Sequence, residues 1–578
     1  MLKLISSLKP FRIMIFFIFI FIFGQAMAEL ALPTLMSDVV NNGMLQGDNA
    51  YIMTYGGYML IVALGSTAFS ITGAFLSAKV AVGVGRNLRN RLFTRVENYS
   101  LTEFDKLGTA SLITRTTNDI VQIQTVLVMM LRFMIYAPVM SIGGIIMAVS
   151  RDKSLTVILL VVIPILITFM VTVAFSIMPA FKSMQKKLDR LNMVLRENLT
   201  GIRVIRAFNK LEHEGKRFEV ANADLTDTAI KVNQTMALLQ PFMIIILNIT
   251  SIAITWFGGW RIAQGSMQVG DMMAFIQYAM QIMFSFIMVA MMFVMVPRAQ
   301  ASAERINEVF EIEPEIVDPK IRKEFQDKRG FVEFQNVSFS YPGAEEPALC
   351  NISFQAGPGE ITAIIGGTGS GKTTLINLIP RFYDVCQGSI LVDGVNITEL
   401  YQNDLRSKIG FVPQSAILFS GSISKNIRYG KKDATDEEVY HAAEIAQASK
   451  FISEMPAGYD TEIAQGGTNV SGGQKQRLSI ARALIRKPEI YIFDDSFSAL
   501  DFKTDSQLRA ALRNETKDAA VIIVAQRVST VMDADRIIVL DDGEMVGMGT
   551  HKELIKSNQV YREIVSSQLS EEELSAYE

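Results

Sequence analysis

Six stretches of about 20 or more mostly apolar residues crowd the first half of this chain, and they decide most of what it can become. They run near Phe11–Leu32, Tyr55–Ala78, Val121–Val149, Leu155–Pro179, Leu238–Trp260 and Met272–Val296. Each is long enough to cross the roughly 30 Å hydrocarbon core of a bilayer as a helix. A backbone exposed to lipid must bond to itself, so helices are the form such stretches take.

Lys and Arg in the connections set the orientation. Lys3, Lys9 and Arg12 precede the first stretch, while the next connection has Asp38 and Asp48 and neither Lys nor Arg. The segment from Lys79 to Ile120 carries Arg86, Arg89, Arg91, Arg95, Lys106 and Arg115. Only Arg151-Asp152-Lys153 and its neighbours separate the third stretch from the fourth. Phe181 to Gln234 is basic again, with Lys182, Lys186, Lys187, Arg190, Arg203 and Arg206. Long basic connections therefore face the cytoplasm. Their helical spacing and scarcity of Gly and Pro predict helices continuing out of the membrane. Lys3, Lys9, Arg12, the run Ile13–Phe23 and Ala26-Met27-Ala28 also resemble a cleavable signal peptide, but the apolar run continues through Leu30-Ala31-Leu32, which favours a span.

The chain has 578 residues, too many for one core. Its 49% hydrophobic content averages an apolar first half and a second half of mixed charge. The expected domains are a membrane domain, 1–310, a linker, 311–330, containing Pro314 and Pro319, and a cytoplasmic α/β domain, 331–578. A net charge of −3 gives no electrostatic basis for nucleic-acid binding. Cys350 and Cys386 suggest reduced thiols rather than a disulfide framework, and His213, His441 and His551 read as surface residues rather than ligands.

In the second half, Ile361-Thr362-Ala363-Ile364-Ile365 reads as a buried strand and Thr374–Ile379 as a helix. Between them stands Gly366-Gly367-Thr368-Gly369-Ser370-Gly371-Lys372-Thr373, a phosphate loop in its required context. Glycines let backbone N–H groups wrap phosphates, the lysine brings positive charge, and the Thr373 hydroxyl can ligate Mg²⁺. Ile490-Tyr491-Ile492-Phe493-Asp494 is an apolar strand ending in a carboxylate that can hold Mg²⁺, normally through water. ATP and Mg²⁺ are the cofactors these elements call for.

Val470-Ser471-Gly472-Gly473-Gln474-Lys475-Gln476-Arg477 resembles the signature sequence of ABC transporters, of the exporter type with membrane and ATPase domains in one chain. The resemblance covers the whole chain: Phe104-Asp105 with Gly108 to Arg115, Glu197 with Gly201 to Phe208, and Arg298 to Phe310 also match family segments. It implies an all-α membrane domain of six helices with long cytoplasmic extensions, joined to an α/β phosphate-loop ATPase. It further implies that Tyr341 stacks on adenine, that Gln414 senses Mg²⁺, and that Ser498-Ala499-Leu500-Asp501 communicates between two ATP sites. Thr374 falls among the ATP-binding positions. Ser471, Gly472, Gly473 and Gln474 would face ATP held by a second subunit.

Two positions depart from the family. Asp495 stands where Glu orients the attacking water, and Gln526 stands where His meets the γ-phosphate. The shorter carboxylate is misplaced by more than about 1 Å, enough to slow a reaction on the order of 100-fold. Gln cannot exchange a proton near neutral pH. Val470 and Gln465 also differ from the usual residues. The combination resembles the degenerate-site subunit of heterodimeric bacterial multidrug exporters. The expected partners are a different half-subunit, the lipid bilayer and a small hydrophobic substrate, with export from the cell (plasma or inner) membrane. A homodimeric lipid or peptide exporter and an ATP-gated regulator remain alternatives, whereas fusion of the two domains argues against an importer. The methionine-rich sixth stretch suits varied apolar ligands but also ordinary packing. Glu29 and Arg132 are ionisable residues within or near spans, where charge faces a cavity or pairs internally.

Overall fold

The computed structural model describes residues 2–326 and 328–568. Asp327 of the expected linker and residues 569–578 of the expected ATPase domain lie outside the described residues. The chain forms two compact units, one holding residues up to Glu97 with Thr109–Ile312, the other Asn98–Gly108 with the residues from Glu313 on.

The first unit contains six helices long and apolar enough to cross a membrane. They outrun the bilayer. Asn49–Glu97 has 49 residues and Thr156–Thr200 has 45, against the 20 or so needed to span, so both carry the expected extensions. Arg12–Asp38 packs against Asn49–Glu97, Ile120–Arg151 and Val269–Glu311. Thr156–Thr200 lies along Leu211–Ala237 and Leu239–Ala263. Ile18, Ile22, Ala26 and Leu30 are all buried, so residues on both sides of Ala26-Met27-Ala28 belong to the bundle core. Gly144 is one place where two helices come close: a Cβ there would sit 2.7 Å from Ile282 Cγ1. Phe275 and Met283 of the sixth stretch are buried in this core, while Phe284 is exposed.

Polar ties close the helix ends. At one end Arg151 pairs with Asp271 at 3.0 Å, Ser37 donates to the same carboxylate at 2.9 Å, and Arg261 pairs with Asp152 at 2.8 Å. At the other, Arg305 pairs with buried Asp119, and Arg115 donates to the Arg305 carbonyl at 2.8 Å.

The second unit is built on a ten-stranded sheet. Strands Ile409–Val412, Ile490–Asp494, Ala520–Val524, Ile361–Gly366 and Arg536–Asp541 lie side by side and parallel. Their central residues are mostly apolar because both faces are covered. Alternation divides them: Tyr491, Phe493, Val521 and Ile523 enter one core, Ile490, Ile492, Ile522 and Val524 the other. The antiparallel strands Val332–Phe339, Leu349–Ala356 and Gln387–Val392 extend the sheet. Asn98–Gly108 belongs to this unit, and the Glu103 carboxylate accepts from the Ser100 and Glu315 N–H groups at 2.6 and 3.0 Å. One expectation fails here. His551 is not a surface residue: it is buried, with Nδ1 2.7 Å from the Tyr561 hydroxyl. It opens the helix His551–Ser557, which the chain's last described helix covers.

Candidate nucleotide site

Parallel pairing brings the expected residues to one edge. Asp494 lies opposite Val524, which lies opposite Ile364, while Val412 lies opposite Phe493. The chain therefore leaves four neighbouring strands at one level, into Gly366, Asp494-Asp495, Gln526 and Gln414. The carboxyl ends of parallel strands are where open α/β sheets bind ligands.

The phosphate loop begins with a glycine packed too closely for any side chain, since a Cβ on Gly366 would lie 2.1 Å from the Leu540 carbonyl oxygen. It ends at Gly371, whose φ of +89° belongs to the left-handed region. Gly367, Thr368 and Gly369 form the exposed crest between, and Ser370 is buried. Lys372 folds under the loop: Nζ donates to the carbonyls of Gly366 at 3.0 Å and Gly367 at 2.6 Å, and to Ser370 Oγ at 3.4 Å. Burial pushes its ammonium below the usual lysine range, opposed by Asp495 and Asp494. Asp494 is pushed above the usual carboxylate range by burial, opposed mainly by the hydroxyl of Thr373, which donates to it at 3.1 Å. A hydroxyl and a carboxylate thus converge as hard oxygen donors. Among the described residues no group of three or more His, Cys, Asp or Glu could cage a metal. The Thr373–Asp494 oxygen pair suits Mg²⁺, which takes one or two protein oxygens and otherwise binds water and substrate phosphates. The ion would shield phosphate charge and would be held by Thr373 and Asp494.

The Tyr341 hydroxyl lies 3.0 Å from Thr374 Oγ1, and its ring meets those of Phe339 and Tyr383 edge-on. Next along the edge, Asp495 has a φ of +42°, a conformation Asp tolerates better than most residues. Its carboxylate accepts from Gln414 Nε2 at 3.5 Å, and its N–H donates to Val524 O at 2.9 Å. The Gln526 side chain is exposed.

Ser471 caps the helix Gly472–Leu484. The cap is reciprocal: Gln474 N–H donates to Ser471 Oγ at 3.3 Å, and Ser471 N–H to Gln474 Oε1 at 2.9 Å. The Gln474 carbonyl oxygen is therefore engaged within its own chain. A Cβ on Gly473 would lie 3.1 Å from the Ala499 carbonyl, so the signature lies against the 498–501 loop of its own chain. Asp501 caps the helix Phe502–Glu515, accepting from Thr504 N–H at 3.0 Å and Thr504 Oγ1 at 2.8 Å.

One participant carries no sequence signal. Gln568 Nε2 donates to the Gln526 carbonyl at 2.8 Å, and its Oε1 accepts from Val528 N–H at 2.8 Å. Between those two residues, Arg527 donates to the Ser498 carbonyl at 3.2 Å. A lone Gln following a short helix matches no motif; only the folded chain brings it here.

Six spanning helices with a phosphate-loop domain define a membrane-embedded ATPase. The family model described as the ABC transporter transmembrane region matches residues 15–286, and the one described as ABC transporter matches residues 349–498. An uncharacterized ABC transporter ATP-binding protein of Mycobacterium tuberculosis is 40% identical over 567 residues, 97% of each chain. An ATP-dependent lipid A-core flippase of Syntrophus aciditrophicus is 33% identical over 516 residues, 89% of this chain and 86% of its own. The fold is also similar to that of a bacterial Atm1-family ABC exporter with ATP bound, with a TM-score of 0.81 and 25% identity over 97% of this chain and 99% of that one.

The chain belongs to the ABC transporters and is an exporter subunit with membrane and ATPase domains fused. It is a multi-pass membrane protein with a cytoplasmic ATPase domain, and its reaction is ATP hydrolysis coupled to transport. Exporters of this family act as dimers of such halves.

Proposed function

We propose that this chain is the degenerate-site half of a heterodimeric exporter that moves hydrophobic or amphipathic compounds out of the cell. The observation that carries this reading is the contrast along one sheet edge. Thr373 and Asp494 meet at 3.1 Å with Lys372 buried behind them, whereas the neighbouring positions hold Asp495 and an exposed Gln526. ATP and Mg²⁺ bind at Gly366–Thr374 with Asp494, and Tyr341 stacks on the base. Asp495 and Gln526 make hydrolysis there slow, and Gln414 stands beside the slow base. Ser471, Gly472, Gly473 and Gln474 act on ATP held by the partner, whose own Glu and His complete that site, and Asp501 lies in the loop linking the two. The membrane domain, 1–310, moves through the linker, 311–330, in response to the ATPase domain, 331–578.

The test is ATP hydrolysis by the full-length chain alone and with candidate partner half-transporters, each with Lys372→Ala or Ser471→Ala. The chain alone is expected to be nearly inactive, and a partner to restore turnover. Ser471→Ala is then expected to reduce activity far more than Lys372→Ala. A brisk homodimeric ATPase would overturn the reading. The likeness to a lipid A-core flippase favours a second reading, a homodimeric lipid exporter, and that result would select it.

A further inference from the structure

Glu29 sits two-thirds of the way along the first spanning helix, and four helices supply polar groups to it. Its carboxylate accepts from Gln25 Nε2 at 2.9 Å on its own helix and from Ser66 Oγ at 3.4 Å on Asn49–Glu97. It also accepts from the Tyr136 hydroxyl on Ile120–Arg151. Gln281, on Val269–Glu311, donates its Nε2 to the Glu29 backbone carbonyl at 3.2 Å. The other end of that amide, Oε1, is buried and accepts nothing. No ion pair reaches Glu29 among the described residues, and Arg132, one turn from Tyr136, makes none either.

The chemistry is lopsided. The cluster holds a negative charge and an unfilled carbonyl oxygen but no cation. A carboxylate offers about four lone-pair sites, and three donors occupy this one. A charge placed within a membrane domain faces a path or pairs with a partner. The group that completes such a cluster has donors only and carries positive charge, which describes an alkylammonium. Glu29, Gln25, Tyr136 and Gln281 are half-buried, so the cluster is reachable, and buried Ala26, Leu30, Met140 and Ile282 give it an apolar surround.

We propose that Glu29 and Gln281 form a substrate subsite for the ammonium head of an amphiphilic amine, which competes with the Tyr136 hydroxyl for the carboxylate. This rests on the export reading only in taking the membrane bundle as the substrate path.

The test uses the full-length chain in lipid nanodiscs, with thermal unfolding measured against n-dodecylamine and n-dodecanol. The two probes differ only in the head group, and binding to the folded state raises the unfolding midpoint. Dodecylamine is expected to stabilise the wild type at about one-tenth the concentration dodecanol needs, the ratio one charge-assisted contact gives. Glu29→Gln, which is isosteric, is expected to lose that preference. Tyr136→Phe removes a competing donor from the carboxylate and is expected to enlarge it. A wild type that treats the two probes alike, or a Glu29→Gln variant that keeps the preference, overturns the subsite. Should Glu29→Gln not fold, a preference in Tyr136→Phe that is unchanged or smaller overturns it. The readout needs neither a partner chain nor hydrolysis, so failure of the heterodimer reading leaves this result interpretable.

Discussion

The two halves of the nucleotide edge are built differently. On one side the phosphate loop, Lys372 and Asp494 are fixed by backbone geometry and burial: Gly366 has no room for a Cβ, and Lys372 is tied to three oxygens. On the other, Asp495 is reached by Gln414 only at 3.5 Å, and the Gln526 side chain is exposed. The first arrangement is part of the fold, so losing it would disturb the core. The second consists of side chains that can change without moving a strand. A chain can therefore lose fast hydrolysis and keep nucleotide binding, and one half of a pair can become a slow site.

The sharpest way to break that contrast is to repair the exposed side. Asp495→Glu restores the missing methylene, and a correction of that size is worth on the order of 100-fold in rate. Turnover at this chain's own site is expected to rise toward that factor, most fully with Gln526→His, while nucleotide affinity stays unchanged. Single-turnover hydrolysis alongside equilibrium nucleotide binding separates the two. A repaired variant as slow as the parent would place the block elsewhere along the edge.

The buried side is expected to answer in binding. Lys372→Ala removes a charge-assisted contact and leaves the Gly366 and Gly367 carbonyls without their donor. About 1.5–3 kcal/mol is at stake, or roughly 10- to 100-fold in affinity for Mg-ATP. Asp494 adds a pH signature. Burial raises its pKa, so as pH falls the carboxylate takes up a proton sooner than an ordinary aspartate, and Mg-dependent affinity falls with it. Asp494→Asn is expected to bind more weakly and to flatten that dependence, which fluorescent nucleotide titrations from pH 7.5 to 5 would read.

Much of this was legible beforehand because it rests on local patterns. Apolar length placed each of the six spans on one of the helices found, with Leu155 alone falling just before its helix, and the strand–loop–helix order around Lys372 put the phosphate loop at a strand end. What stayed hidden depends on long-range geometry. His551 read as a surface residue because polarity was the only guide, and the chain's last described helix buries it. Glu29 was visible as a charge in a span, but its donors come from positions 66 and 136, far away in sequence. The segment Asn98–Gly108 lies within an otherwise membrane-type stretch, yet its Glu103 caps Glu315.

Gln568 is the clearest such case, and it tests whether the exposed side is as loosely held as its side chains suggest. One amide spans the backbone on both sides of Arg527, which in turn holds the Ser498 carbonyl. Cutting that clamp should loosen the Gln526 loop and the 498–501 loop together and leave the phosphate loop alone. Each such hydrogen bond is worth about 1 kcal/mol net, so Gln568→Ala is expected to lower kcat by about 3- to 10-fold with KM for ATP nearly unchanged. Gln568→Glu keeps the acceptor for Val528 N–H but loses the donor to Gln526 O, and its effect should fall between wild type and Ala. A change in KM instead of kcat, or a Glu variant no better than Ala, would mean that the amide supports the fold of the C-terminal helix and does not position the loop.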